Sequence, residues 1–155
     1  AMAAPKIPRS VLVVIHTRAL DVLLLERADH PGFWQSVTGS LDAADEPLRD
    51  ACAREVAEET GLHVPAASFT DWGLENEYAI YAQWRHRYAP GVAHNREHVF
   101  GLAVEDRFAV TLAPREHRAS QWLPWRDAAD RCFSWTNAEA IRQLPQRLAG
   151  CMPRA

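Results

Sequence analysis

Three carboxylates gather near the end of one segment, Arg54-Glu55-Val56-Ala57-Glu58-Glu59-Thr60-Gly61-Leu62. On a helix Glu55, Glu58 and Glu59 stand at i, i+3 and i+4, so their side chains converge on one stripe. Like charges at that spacing cost about 0.2–0.5 kcal/mol per pair. Acidic groups in a last turn also oppose the helix dipole, by about 0.3–1 kcal/mol each. Arg54, four residues before Glu58, offsets part of this, but one guanidinium does not neutralise three carboxylates. A divalent cation does. Clustered oxygen ligands without Cys or His suit hard Mg²⁺, with Mn²⁺ as a substitute, over zinc. The competing reading is a solvated acidic face, and the residues around the stripe decide between the two.

The element that must carry the stripe is a helix from Pro47 to Thr60. Asp45 is placed to cap it, Glu46 and Pro47 suit its first turn, and Gly61 stops it. Leu48, Ala51, Cys52 and Val56 recur at helical spacing and face a core. Upstream, Val11–His16 and Val22–Glu26 read as buried strands joined by a turn at Thr17–Asp21. Asp29-His30-Pro31-Gly32 is a second turn. Downstream, Phe69–Glu77, Tyr78–Tyr88 and His98–Val104 are strand candidates, with Ala89-Pro90-Gly91 as the break before the last. Gln121–Pro124 reads as a short strand, and Arg126–Arg131 and Asn137–Leu148 as helices. Strands flanking a central helix, with more helix at the end, give an α/β sandwich around a mixed sheet.

The stripe has a context. Thr38-Gly39-Ser40 precedes it, and seven residues separate Glu46 from Arg54-Glu55. This resembles the Nudix box: Gly, five residues, Glu, seven residues, Arg-Glu, an aliphatic, any residue, Glu-Glu, any residue, Gly, an aliphatic. Every specified residue is present between Gly39 and Leu62. The departure is a loop of six residues, Ser40 to Asp45, where the pattern has five; alternatively Asp45 takes the five-residue spacing, with eight residues before Arg54. The insertion falls in a loop, where length varies readily, and it bears on Glu46 rather than on the carboxylates of the stripe. The resemblance implies a Nudix-type α/β/α sandwich around a mixed β-sheet, in one domain over 1–155.

Two further segments, Phe33 to Ser40 and Arg85 to Val92, resemble those of the bacterial dihydroneopterin triphosphate diphosphatases within this family. The similarity runs from Lys6 to about Asn137. It implies Mg²⁺-dependent hydrolysis of a phosphoanhydride, with a small-molecule triphosphate as partner. The alternative is a housecleaning pyrophosphatase acting on dATP or oxidised purine nucleotides. A non-catalytic nucleotide-binding module is a third reading, set against the retention of Glu55, Glu58 and Glu59.

Residue by residue, the resemblance puts Glu55 and Glu59 in the role of metal ligands, with Glu58 in support and Glu116 as a ligand from a late loop. Lys6, Arg27, Thr38, Tyr78, Tyr81 and Ser134 match positions that contact substrate. Lys6 and Arg27 would hold the polyphosphate charge, while Arg54 orients Glu55 and Glu58. Glu58 is the first candidate to accept the attacking water's proton and Glu116 the second. Each has a bland counterpart: solvated charge for Lys6, Arg27 and Glu116, turn chemistry for Thr38 and Ser134, core packing for Tyr78 and Tyr81. On a strand, Arg85 and Arg87 would share one face, either a cationic wall or a solvated surface. Trp34 is the nearest tryptophan to the Gly39 turn and a candidate for ring stacking. His63, His94 and His117 stand without partners at metal spacing and are expected to be structural or exposed.

Composition sets the bounds. A chain of 155 residues, 48% hydrophobic, is long enough for a real core. A net charge of −3 leaves no basic footprint for a nucleic-acid polymer, so an anionic ligand needs a local positive site. Cys52, Cys132 and Cys151 form an odd set without metal or disulfide spacing, which suits a reducing cytoplasm. The longest apolar run, Val11–Ile15, is too short for a bilayer. No signal-peptide pattern opens the chain, and Ala1 ahead of Met2 reads as a residue left by expression. Residues 1–5 are expected to be disordered or foreign, and 149–155 a tail.

Overall fold

The computed structural model describes residues 4–151, with side chains described through Ala149. Expectations for residues 1–3 and 152–155 lie outside the described residues. The elements are β1 (Arg9–His16), β2 (Asp21–Arg27), β3 (Trp34–Gln35), β4 (Val37–Ser40), α1 (Leu48–Thr60), β5 (Thr70–Ala79), β6 (His94–Ala103), β7 (His117–Pro124), α2 (Trp125–Arg131), α3 (Trp135–Arg142) and α4 (Leu144–Cys151). One mixed sheet runs β3-β2-β1-β6-β5, with β4 paired to β1 and β7 to β2. The β1–β6 pairing is parallel and the other ladders are antiparallel.

Alternation on β1 and β2 divides the interior into two layers. Val11, Val13, Ile15, Leu23 and Leu25 pack with Ala51, Cys52 and Val56 of α1. On the opposite face, Leu12, Val14, Val22 and Leu24 pack with Ala128 and Ala129 of α2 and Ala140 and Ile141 of α3. The α/β/α sandwich is therefore the observed architecture. Trp34 belongs to the second layer, with Arg131 5.7 Å over its ring, and not to the cleft described below.

The sheet is split at one end, and that split makes room for a site. β1 meets β2 in register only at His16↔Val22. From Val13 back to Ser10 its edge is taken by β4 instead. β2 turns away toward β7 and carries a register shift between Glu26 and Arg27, an irregularity of the kind that re-aims a strand's side chains. A cleft of about 740 Å³ opens there, between α1, β4, the end of β2 and the start of α3.

Several boundaries differ from the expectation. Asp45 does not cap α1: Pro47 occupies the N-cap position, without a side-chain cap. At the other end Gly61 adopts φ 79 and donates to the Ala57 carbonyl, a left-handed cap that suits glycine. Tyr78–Tyr88 is not one strand. The β5–β6 ladder ends at Ala79↔His94, so the chain beyond has no strand to pair with and coils into a 3₁₀ turn at Ala82–Arg87. Arg85 and Arg87 therefore do not share a strand face. Asn137–Leu148 is two helices, α3 and α4, because Pro145 lacks the N–H that continuation requires and fits a first turn instead. β6 and β7 also begin earlier than the apolar pattern indicated, at His94 and His117. Among the described residues no helix is long and apolar enough to cross a membrane.

Candidate active site

Lys6, Arg27, Thr38, Arg54, Glu55, Glu58, Glu59, Tyr78, Tyr81, Glu116 and Ser134, all singled out by sequence, line this one cleft. Helix α1 supplies the carboxylates on the face it turns toward β4. Glu55 and Glu59 are buried while Glu58 is exposed. A Cβ at Gly39 would overlap the Glu55 carboxyl group; the absent side chain is what lets β4 and α1 approach there.

Arg54 organises the entrance to the helix. Its guanidinium donates to both Glu46 oxygens at 3.0 and 3.1 Å, to Glu55 Oε1 at 2.7 Å and to the Ser40 carbonyl at 3.1 Å. Glu46 also accepts from the Asp42 backbone N–H. The longer loop thus still delivers Glu46 to Arg54, and the arginine pins the loop, β4 and Glu55 together. Glu58 lies further from it, at 3.7 Å.

Burial pushes the Glu55 carboxyl up to about 7, with Arg54 acting against it. Glu59, 1% exposed, is raised well above the usual carboxylate range, first by burial and then by the negative charges of Glu55, Glu116 and Glu58. Its Oε2 has no hydrogen-bond partner among the described residues. Ligand atoms of Glu59, Glu116 and His117 all lie within 4.8 Å of one another. A carboxylate buried among other carboxylates, with an orphaned oxygen, fits a bound divalent cation: oxygen donors dominate, with one imidazole beside them.

His117 is the residue that sequence reasoning missed. It is not exposed but buried beside carboxylates: it is 2% exposed, 3.6 Å from Glu59, and its Nε2 is 3.2 Å from Gln35 Nε2. Burial and the nearby Arg27 charge lower it to about 4, so the ring is neutral. The register shift opposite Arg27 brings it there; its adjacency to Glu116 was the available signal. His63 and His94 lie outside the cleft.

The cationic wall faces this acidic cluster. Arg27 donates twice to Asp29, at 2.8 and 2.9 Å, and to Gln35 at 3.3 Å, and lies 4.1 Å over the Trp84 ring. Arg87 and the Trp84 indole N–H also donate to Asp29, and the Arg27 guanidinium first of all holds that carboxyl down at about 2. Lys6 is lowered by desolvation and then by the Arg87 and Arg27 charges. Arg85 lies outside the cleft, bonded to the Ile80 carbonyl. Ser134 caps α3 by accepting from the Asn137 N–H, while Thr38 accepts from Gln35 at 3.5 Å. These are turn and capping roles within the cleft wall.

Fold and acidic cluster together define the class, and comparison with known proteins agrees. The profile of the NUDIX domain matches residues 6–144. The chain belongs to the NUDIX family, and it is a Nudix hydrolase. It is 43% identical over 142 residues to the dihydroneopterin triphosphate diphosphatase of Escherichia coli (strain K12), covering 90% of this chain and 93% of that one. The Haemophilus influenzae protein of the same name is 38% identical over 138 residues, 87% of this chain and 85% of that one. The solved structure of the E. coli dihydroneopterin triphosphate pyrophosphohydrolase superposes with a TM-score of 0.86 at 40% identity, covering 94% of this chain and 99% of that chain. Nudix hydrolases generally use a divalent metal, and the carboxylate–histidine group here is one that could hold it.

Proposed function

We propose that the protein hydrolyses dihydroneopterin triphosphate, releasing pyrophosphate and leaving dihydroneopterin monophosphate, a step of folate biosynthesis. The observation that carries the reading is the meeting of opposite charges in one cleft: buried Glu55 and Glu59 with Glu116, and Lys6, Arg27 and Arg87. Such an arrangement suits a ligand that is itself highly anionic and brings metal with it. Relatives of 38–43% identity that bear this activity in their names support the choice of substrate. The reading places the enzyme in the cytoplasm, in keeping with free thiols at Cys52 and Cys132.

Glu55, Glu59 and Glu116 would hold Mg²⁺, with Glu58 in support and Mn²⁺ able to substitute. When bound, the ion neutralises phosphate charge and acidifies the attacking water. Lys6 and Arg27 take the polyphosphate oxygens, Arg27 with its fork held in place by Asp29. Arg54 fixes Glu55. Glu58, exposed at the edge of the cluster, accepts the water's proton; Glu116 is the second candidate. The water oxygen bonds to one phosphorus of the α–β anhydride as its bridging P–O bond breaks, and the phosphate on the other side of that bridge leaves with the electron pair.

The test is kcat/KM with Mg²⁺ for dihydroneopterin triphosphate, dATP and 8-oxo-dGTP, followed by pyrophosphate release. The pterin is expected to be preferred. A preference for a nucleotide would move the enzyme to nucleotide-pool surveillance, and no turnover of any would contradict the reading.

A further inference from the structure

Away from α1, the cleft is polar where a sheet face is ordinarily apolar. Asn95 and Glu97 stand two apart on β6, so their side chains leave the same face of the sheet. Both are 2% exposed, and both line the cleft. The Asn95 amide donates to Ser10 Oγ at 2.8 Å and to the Tyr78 hydroxyl at 3.0 Å. Among the described residues its carbonyl Oδ1 receives nothing, and neither does Glu97 Oε1. Buried acceptors without donors are rare in folded chains. Two of them on one face of one strand call for donors from outside the chain.

A separate observation says what kind of molecule brings those donors. Among the described residues, the exposed large hydrophobic side chains are Tyr81 and Trp135, 38% and 60% exposed. Both line this same cleft. Tyr81 is stacked on Trp84, with centroids 5.2 Å apart, and meets Phe133 edge-on. Flat aromatic surface and unmatched acceptors in one cleft suit a planar heteroaromatic ring that carries N–H groups along one edge.

We infer that Glu97, with Asn95 beside it, sets specificity by accepting from adjacent N–H donors, choosing a 2-amino-4-oxo ring over a 6-aminopurine. This rests on the pyrophosphohydrolase reading of the cleft and adds the residues that select its ring. Pterin and guanine present an exocyclic amine next to a ring N–H, two donors side by side for a carboxylate. Adenine presents an amine next to a bare nitrogen, whose lone pair meets the carboxylate's own. Repulsion of the wrong ring adds to attraction of the right one. Burial pushes the Glu97 carboxyl up to about 7, with the Thr136 hydroxyl acting against it; donors from a bound ring hold the ionised form in the same way.

The test is kcat/KM for dihydroneopterin triphosphate, dGTP, dITP and dATP, with wild type and Glu97→Gln, and a thermal melt to establish that the variant folds. Glutamine offers one donor and one acceptor, the complement of adenine's edge. The pterin-to-dATP ratio is expected to fall on the order of 10²-fold in Glu97→Gln. In the wild type, dGTP is expected to exceed dITP, which differs from it only by the 2-amino group. Equal loss on all four substrates would assign Glu97 to the fold and overturn the inference. A wild type that does not distinguish dGTP from dITP would overturn it even if the variant does not fold. A wild type that distinguishes them through Glu97 yet ignores the pterin would uphold the inference and sink the pterin reading.

Discussion

At the α1 end of the cleft, charge answers charge: Glu55, Glu59 and Glu116 face Lys6, Arg27 and Arg87, and most of the cations are already held by carboxylates. At the β6 end Asn95 Oδ1 and Glu97 Oε1 are acceptors without donors among the described residues, beside exposed aromatic rings. The first arrangement suits any polyphosphate. The second suits one kind of ring. The difference teaches that reaction and selectivity are held by different elements, α1 with its β4 neighbour for one and β6 with the start of α3 for the other. They are therefore separable by mutation.

The largest effect belongs to the acidic end. Glu59→Gln removes the buried carboxylate with the orphaned oxygen, and turnover of every substrate is expected to fall by about 10³-fold or more with the fold retained. Unchanged turnover with saturating Mg²⁺ would remove α1 from the chemistry. Next is Gly39→Ala, whose Cβ would overlap the Glu55 carboxyl. Displacing that group by about 1 Å is expected to lower kcat by about 10²-fold, with a lower melting temperature from the overpacked contact. A variant with wild-type kcat would show that Glu55 need not stay where Arg54 holds it.

A smaller loss is expected from Glu46→Gln, which weakens one of the anchors of Arg54 without touching the cluster: about 10-fold in kcat/KM, alike for pterin and nucleotide substrates. The smallest effect concerns the cationic wall. Asp29 is held at about 2, against an ordinary value of 3.8. A depressed folded value means that its stabilisation is complete above about 4 and is lost as the pH falls through about 2. Asp29→Asn is therefore expected to cost on the order of 1 kcal/mol at pH 7, discounted for its solvent exposure. Urea midpoints of the two proteins should converge as the pH falls below 2; a gap that persists there would place the effect in packing instead of charge.

The acidic end was legible in sequence because its ligands share one helix. Glu55, Glu58 and Glu59 keep a fixed spacing that any helix converts into a stripe, and Gly39 and Arg54 sit at set distances from them. The ring end was not. Asn95 and Glu97 alternate with His94 and Arg96 on a strand whose polar beginning lay outside the apolar pattern, so their burial became visible only once β6 was seen to pair with both β1 and β5. His117 stayed hidden for a related reason: a register shift between distant strands, not local spacing, brings it to Glu59. Tyr78–Tyr88 read as a strand on its aromatic and β-forming residues, but a strand needs a neighbour, and β6 ends its ladder at Ala79.

The most direct measurement of this division is the ratio of kcat/KM for dihydroneopterin triphosphate over dATP in Glu46→Gln and Glu97→Gln, each against wild type at saturating Mg²⁺. Separate reaction and selection ends predict that Glu46→Gln lowers both numbers and keeps the ratio within about threefold, while Glu97→Gln collapses the ratio. A ratio that moves as far in Glu46→Gln as in Glu97→Gln would contradict the separation.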